Sequence, residues 1–84
     1  IKIISIINKA IEEKKQLQID SYRSSNSSTV LNRLVEPFSF INDYSATWCY
    51  DLDDNKCKLF KLARMGSVHI TSNRWANEDS HKIS

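Results

Sequence analysis

The stretch that decides the fold is residues 1–22, IKIISIINKAIEEKKQLQIDSY, because its hydrophobic period changes partway along. In its first part the apolar residues share an arc of roughly 160° on a helical wheel, and most charged residues lie opposite. That arc holds Ile3, Ile4, Ile6, Ile7, Ala10 and Ile11. From Gln16 onward apolar and polar residues alternate, which is typical of a half-buried strand. We therefore predict a helix over about residues 1–15 and a first strand ending near Tyr22.

Turn signals divide the rest of the chain into short segments. The polar run RSSNSST predicts a loop at residues 23–29, and Asp53-Asp54-Asn55 predicts a hairpin turn. Alternating apolar residues predict four further strands, at 30–41, 44–52, 57–62 and 67–71, with a short helical or bent segment at 62–65. Pro37 has no amide hydrogen, so it marks an edge or a bulge within the second strand.

One helix and five short strands predict a mainly β domain. The arrangement favours a small five-stranded SH3-like or Sm-like barrel with an N-terminal helix, since closure removes exposed strand edges. With 84 residues the chain is long enough for a single domain, with the barrel at about residues 16–72. Residues 73–84 are interpreted as a polar tail. The chain begins with Ile1 and not with methionine, so we interpret it as a fragment of a longer protein.

Composition excludes several classes of function. Twelve basic against ten acidic residues give a net charge of +2, too low for an autonomous binder of duplex DNA. No apolar run is long enough to span a bilayer, so no membrane association is predicted. The two cysteines, Cys49 and Cys57, match no disulfide framework or zinc pattern. We therefore expect free thiols and a cytoplasmic location.

The sequence lacks the residue patterns of catalysis and of metal binding. No histidine is placed by a motif to activate Cys49, and no pair of catalytic carboxylates stands out. Asp51, Asp53 and Asp54 lack the glycine and the distal glutamate of a calcium-binding loop, so a solvated hairpin tip is the simpler interpretation. We predict a protein that is not an enzyme and that needs no metal and no cofactor.

Four groups of residues resemble a known family. They are Tyr22 with Ser24, the run RLVEP at Arg33–Pro37, the pair Tyr50-Asp51 before the hairpin, and FKLARM at Phe60–Met65. The second is similar to an Arg-x-Val-x-Pro motif and the last to Phe-Arg-Leu-Asp-Arg-Ile. Their order and spacing, over roughly residues 10–72, resemble a WYL domain, the Sm-like or SH3-like barrel of many bacterial transcription regulators.

The chain departs from that family pattern at two places. The naming Trp-Tyr-Leu triplet is absent near Ser45-Ala46-Thr47, and Trp48 follows just after. Ala63 stands where the family usually has aspartate. The chain thus resembles a divergent subgroup.

The resemblance implies a ligand-sensing module that acts on an upstream helix-turn-helix domain, through which duplex DNA would be contacted. The implied effector is a nucleotide or single-stranded nucleic acid, held by Arg33 and Arg64 with Lys61, Tyr22 and Ser24 beside them. Arginine presents a planar fork of donors that suits phosphate, and tyrosine stacks on bases.

Each of these residues also has a plainer interpretation. The arginines and Lys61 are equally suited to surface ion pairs, Tyr22 to capping the core, and Ser24 to a local turn. The alternative function is a structural module that forms a homodimer through the Ile-rich helix or through the aromatic face of Trp48 and Tyr50.

Overall fold

The computed structural model describes residues 2–24 and 29–83 and confirms a mainly β domain. Helix α1 spans Lys2–Glu13, and the five strands are β1 Lys15–Arg23, β2 Val30–Phe40, β3 Ala46–Asp51, β4 Lys56–Lys61 and β5 Ser67–Arg74. Two single-turn 3-10 helices follow β4 and β5, at Leu62–Arg64 and Glu78–Ser80. The predicted loop at 23–29 falls partly outside the described residues, which do not include 25–28.

The strands form one antiparallel sheet in the order β4-β3-β2-β1-β5, and this sheet is strongly curled. In a flat sheet β1 and β4 would be three strand spacings apart, about 14 Å. Instead, the Tyr22 hydroxyl on β1 accepts a hydrogen bond from the Lys61 N–H on β4 at 3.0 Å. The sheet is therefore barrel-like.

The barrel is not closed by strand pairing, because β4 and β5 are the two edges of the described sheet. The connection between them is short and contains the 3-10 turn Leu62–Arg64. It joins β4 to β5, and β5 then pairs with β1.

Helix α1 packs its apolar arc against the sheet, as the helical wheel predicts. Ile7 and Ala10 are fully buried, and they join Leu17, Ile19 and Val35 of the strands in one core. Burying a side chain of isoleucine size contributes roughly 1.5–3 kcal/mol, so this contact supports much of the small domain.

The structure decides between the two interpretations of Pro37 in favour of a bulge. Strand β2 lies in the interior of the sheet, between β1 and β3, and its register with β3 shifts between Pro37 and Ser39. A residue without an N–H is tolerated there because the bulge interrupts the ladder.

Two strand boundaries differ from the prediction by two residues or more. Strand β3 begins at Ala46 and not at Tyr44, because Tyr44 has a positive φ of 61° and belongs to the preceding turn. Strand β5 continues to Arg74, which pairs with Lys15 at the start of β1.

Residues 75–81, which we call the C-terminal segment, pack on the sheet and do not form the predicted polar tail. The Trp75 N–H donates to the Lys14 carbonyl at 2.7 Å, and the segment then contacts Glu36 on β2. A buried carboxylate needs donors, and this segment supplies most of them.

Candidate functional site

A groove of about 480 Å³ opens where the β1–β2 hairpin meets the turn after β4. Its lining residues are Ser21, Arg23, Val30, Ala63, Arg64, Met65 and Gly66. Two of these are arginines and none is acidic. Arg23 is exposed and Arg64 is half-buried, so the groove has a positive lining that faces solvent.

Gly66 brings the two walls of the groove together. Its N–H donates to the Asp20 carbonyl at 3.0 Å. A Cβ atom at this position would lie 2.8 Å from the same carbonyl oxygen and 2.9 Å from the Cβ of Ser21. The close approach therefore requires glycine, and it sets the position of Arg64, two residues earlier.

Tyr22 supports the groove from inside the barrel. Its ring packs edge-on against Phe60, with centroids 4.9 Å apart, and its hydroxyl holds the Lys61 backbone. Tyr22 is half-buried and Lys61 has an exposed side chain, and neither residue lines the groove. These are the contacts expected of a tyrosine that caps the core.

Arg33 lies in a charge cluster and not in the groove. Its Nη1 is 3.2 Å from Asp51 Oδ2 and 3.9 Å from Asp54 Oδ2, and Lys58 Nζ is 3.0 Å from the same Asp51 oxygen. The Asp51 side chain is fully buried and the Arg33 side chain is 20% exposed. Asp51 Oδ1 also accepts the Asp53 N–H at 2.9 Å. The Arg33 Nη1 atom is therefore already paired with an internal carboxylate.

The charges of this cluster balance one another. Partial burial lowers the pKa of Lys58, but its hydrogen bonds to Asp54 and Asp51 outweigh burial and raise it. The hydrogen bond from Lys58 lowers the pKa of Asp54. Arg33 and Lys58 thus face Asp51 and Asp54, two basic side chains against two acidic ones.

Of the five residues named from the sequence, the groove is lined by Arg64 alone. Ser24 follows the groove residue Arg23, and its N–H donates to the Thr29 carbonyl at 3.0 Å. Arg23 was missed, because it begins the polar run at 23–29 that predicts a loop. The available signal was its position between Tyr22 and Ser24, the pair used for the family resemblance.

A second polar site surrounds Glu36, whose side chain is fully buried. Its carboxylate accepts hydrogen bonds from Gln16 Nε2 at 2.9 Å, Ala76 N at 2.8 Å, Asn77 N and Nδ2 at 3.2 and 3.1 Å, and His81 Nε2 at 2.8 Å. Burial alone would raise the pKa of Glu36, but these hydrogen bonds lower it overall. Glu36 is thus a buried carboxylate with a full set of donors.

Aromatic rings complete the Glu36 site. The His81 ring stacks on Phe38 with centroids 4.6 Å apart, and the Trp75 ring meets its edge at 4.5 Å. The sequence does not reveal this site, because four of the five donor groups lie 40 or more residues from Glu36 in a run predicted to be a polar tail.

The thiols of Cys49 and Cys57 are both free. These residues lie on adjacent strands in registers offset by one, so their side chains project from opposite faces of the sheet. Burial raises the pKa of the Cys49 thiol well above its usual value, whereas Cys57 is only partly buried.

Residues 2–24 and 29–83 contain neither a metal-binding cluster nor a membrane-spanning helix. In this part of the chain no three or more His, Cys, Asp or Glu side chains cluster in a way that suits a metal ion. No helix there is both long and apolar enough to cross a membrane.

Comparison with solved structures supports the fold. The proteasome accessory factor B/C (PafBC) of Arthrobacter aurescens is similar, with a TM-score of 0.81 and 21% sequence identity. The match covers 99% of this chain but 13% of that protein, so this chain corresponds to a small part of it. Comparison with curated proteins found no match.

Comparison with family models gives a more direct assignment. The model for the WYL domain matches residues 2–70, which include α1, all of β1 to β4 and the first half of β5. The matched range contains the groove and the Arg33 cluster. The chain belongs to the WYL domain family.

Proposed function

We propose that this chain is a ligand-sensing regulatory module of a bacterial transcription regulator, and that its groove binds a phosphate-bearing effector. The observation that carries the proposal is the groove lined by Arg23 and Arg64 without an acidic neighbour in its lining. Paired guanidinium groups suit phosphate because each offers a fork of N–H donors. The effector is a nucleotide or a short single-stranded nucleic acid.

The surface beside the groove supports a ligand with a base as well as a phosphate. Val30 lines the groove and is 47% exposed, and its neighbour Leu31 is 50% exposed. Apolar side chains next to a cationic pocket favour a ligand with one anionic end and one flat apolar face. Membership of the WYL family, whose barrels occur in transcription regulators, supports the regulatory context.

The residues named from the sequence have different roles in this proposal. Arg64 contacts phosphate, and Ser24 and Lys61 contribute at the margin of the groove. Tyr22 and Arg33 keep the barrel in shape through Phe60 and Asp51. No chemical step is needed, so the module is not an enzyme, and duplex DNA is contacted through a helix-turn-helix domain upstream.

The alternative of a dimerisation module has less support. Its first surface, the apolar arc of α1, is packed on the sheet through Ile7 and Ala10. Its second surface includes Tyr50, which is buried and lies beneath His81 at a ring separation of 6.2 Å. Residues of both surfaces are therefore used within the chain.

The proposal is tested by titrating nucleoside monophosphates and 5′-phosphorylated oligonucleotides of a few residues into the protein. We expect saturable binding that weakens by roughly 10- to 150-fold in Arg64→Ala and in Arg23→Ala, the loss of one charge-assisted hydrogen bond. The matched control is Arg74→Ala, which removes an exposed arginine at the far end of β5. Equal affinity in wild type and both groove variants would refute the assignment.

A further inference from the structure

The strongest feature outside the groove is the contact between the C-terminal segment and the sheet. The surface beneath the segment consists of Gln16, Glu36, Phe38 and Tyr50, which we call the Glu36 face. We propose that the Glu36 face is a peptide-docking site occupied by the chain's own C-terminal segment, and that this segment docks and leaves as one unit.

The carboxylate of Glu36 depends on the segment for its hydrogen bonds. Ala76 donates one, Asn77 donates two and His81 donates one, whereas the sheet itself supplies the single bond from Gln16. Without the segment, four of these five donors are lost and solvent replaces them. Glu36 is therefore a recognition group that the sheet presents and the segment satisfies.

The segment is a compact unit after it leaves β5. Its own backbone bonds form a turn, with Ser80 N–H donating to the Asn77 carbonyl at 2.9 Å and His81 N–H to the Glu78 carbonyl at 3.0 Å. It meets the sheet through side-chain contacts, including the bond from Cys57 Sγ to the Ser80 carbonyl at 3.2 Å. A unit with internal turn bonds, attached to the sheet through side chains and not through a strand ladder, is suited to moving as one piece.

The docked segment is held less firmly than its burial suggests. The side chain of His81 is 6% exposed, yet its Nδ1 atom has no hydrogen-bond partner among the described residues. The buried Nε1 of Trp75 likewise has none in the described part of the chain. A buried polar group without a partner destabilises the state that buries it, so the docked form is closer to release.

The recognised peptide has a definite chemistry. It presents two consecutive backbone N–H groups, of Ala76 and Asn77, to one carboxylate, and an imidazole four residues further on to the same carboxylate. Trp75 and Phe38 enclose that imidazole. The site is therefore specific for a Trp-Ala-Asn turn followed by histidine.

The first test is amide hydrogen exchange of the whole chain in wild type and in His81→Ala. The Ala76 and Asn77 amides bond Glu36 and not His81, so their exchange reports release of the segment as a unit. We expect both to exchange roughly 10- to 100-fold faster in the variant, as expected for a lost hydrogen bond to a charged group. The core amides of Leu17 and Val35 should keep their wild-type rates.

The matched control is His69→Ala, which removes an exposed histidine of β5 and should leave the Ala76 and Asn77 rates unchanged. The proposal is overturned if His81→Ala leaves these two rates at the wild-type level. It is also overturned if the core amides accelerate in parallel, because the segment would then leave only when the domain unfolds.

The second test adds a peptide of residues 74–83, RWANEDSHKI, to a full chain whose own segment has lost its anchors through Trp75→Ala, Asn77→Ala and His81→Ala. We expect saturable shifts of the Glu36 and Tyr50 resonances, with at least tenfold weaker binding of a peptide that has alanine in place of His81. Absence of saturable shifts refutes the docking site. Failure of the triple variant to fold refutes the detachable segment, since the segment would then be part of the core structure.

Discussion

Replacing Arg33 by alanine separates the structural from the ligand-binding interpretation of this residue. The substitution removes a charge-assisted hydrogen bond to Asp51, worth roughly 1.5–3 kcal/mol. Breaking a fully buried pair costs about 3–5 kcal/mol, but here Lys58 and the Asp53 N–H continue to satisfy the carboxylate. We therefore expect a loss of about 2–3 kcal/mol in the free energy of unfolding.

For a domain of this size, a loss of that magnitude lowers the melting temperature by roughly 10–20 °C. Urea denaturation and thermal melting followed by circular dichroism measure both quantities. Arg64→Ala is the matched comparison, since Arg64 lines a solvent-facing groove, and its unfolding free energy should stay within about 0.5 kcal/mol of wild type.

A double-mutant cycle with Asp51→Asn tests the partner directly, and we expect a coupling energy above about 1 kcal/mol. The reasoning is refuted if Arg33→Ala melts like wild type but no longer binds the phosphate-bearing ligand. Arg33 would then be a binding residue, as the family resemblance implies.

Three further predictions concern the remaining features. Gly66→Ala should destabilise the domain by roughly 1–3 kcal/mol in urea denaturation, because the new Cβ would lie 2.8 Å from a backbone oxygen. A variant as stable as wild type would contradict this close approach. The folded-state pKa of Glu36 is lowered, so its contribution to stability is present above its unfolded pKa of about 4.3 and is lost as pH falls through the folded value. Between about pH 5 and pH 2.5, the melting temperature of Glu36→Gln should therefore fall less steeply with decreasing pH than that of wild type. Equal slopes in the two proteins would count against the hydrogen bonds assigned to Glu36. In the native protein at pH 8, iodoacetamide should modify Cys57 and spare Cys49, because burial raises the pKa of the Cys49 thiol. Mass spectrometry measures the labelling, and equal labelling of the two cysteines would contradict the buried position of Cys49.

Local sequence patterns predicted the elements that depend on neighbouring residues. The helical stripe placed Ile7 and Ala10 in the core, and the alternation after Lys15 placed Leu17 and Ile19 there too. Pro37 predicted an edge or a bulge because the missing N–H is a property of one residue, and the pairing of β2 on both sides leaves the bulge. Boundaries were less accurate at Tyr44, since a positive φ at this position depends on the turn that contains it.

The candidate site was predicted less well, because it depends on pairings between distant residues. Arg64 was named and lines the groove, whereas its neighbour across the groove, Arg23, was not. Arg33 is 18 residues from Asp51, and only the register of β2 against β3 brings them within 3.2 Å. An isolated arginine in a sequence looks the same whether its partner is a ligand or an internal carboxylate.

By itself the sequence determined the helix, the five strands and the family, since periodicity and motif spacing are properties of the chain read in order. Only the tertiary structure decided which charged groups neutralise one another and which remain for a ligand. Glu36 is the clearest case, because its donors Ala76, Asn77 and His81 come from a run with no pattern of its own. Burial of a carboxylate requires donors at hydrogen-bond distance, and the curled sheet with its returning segment creates that geometry.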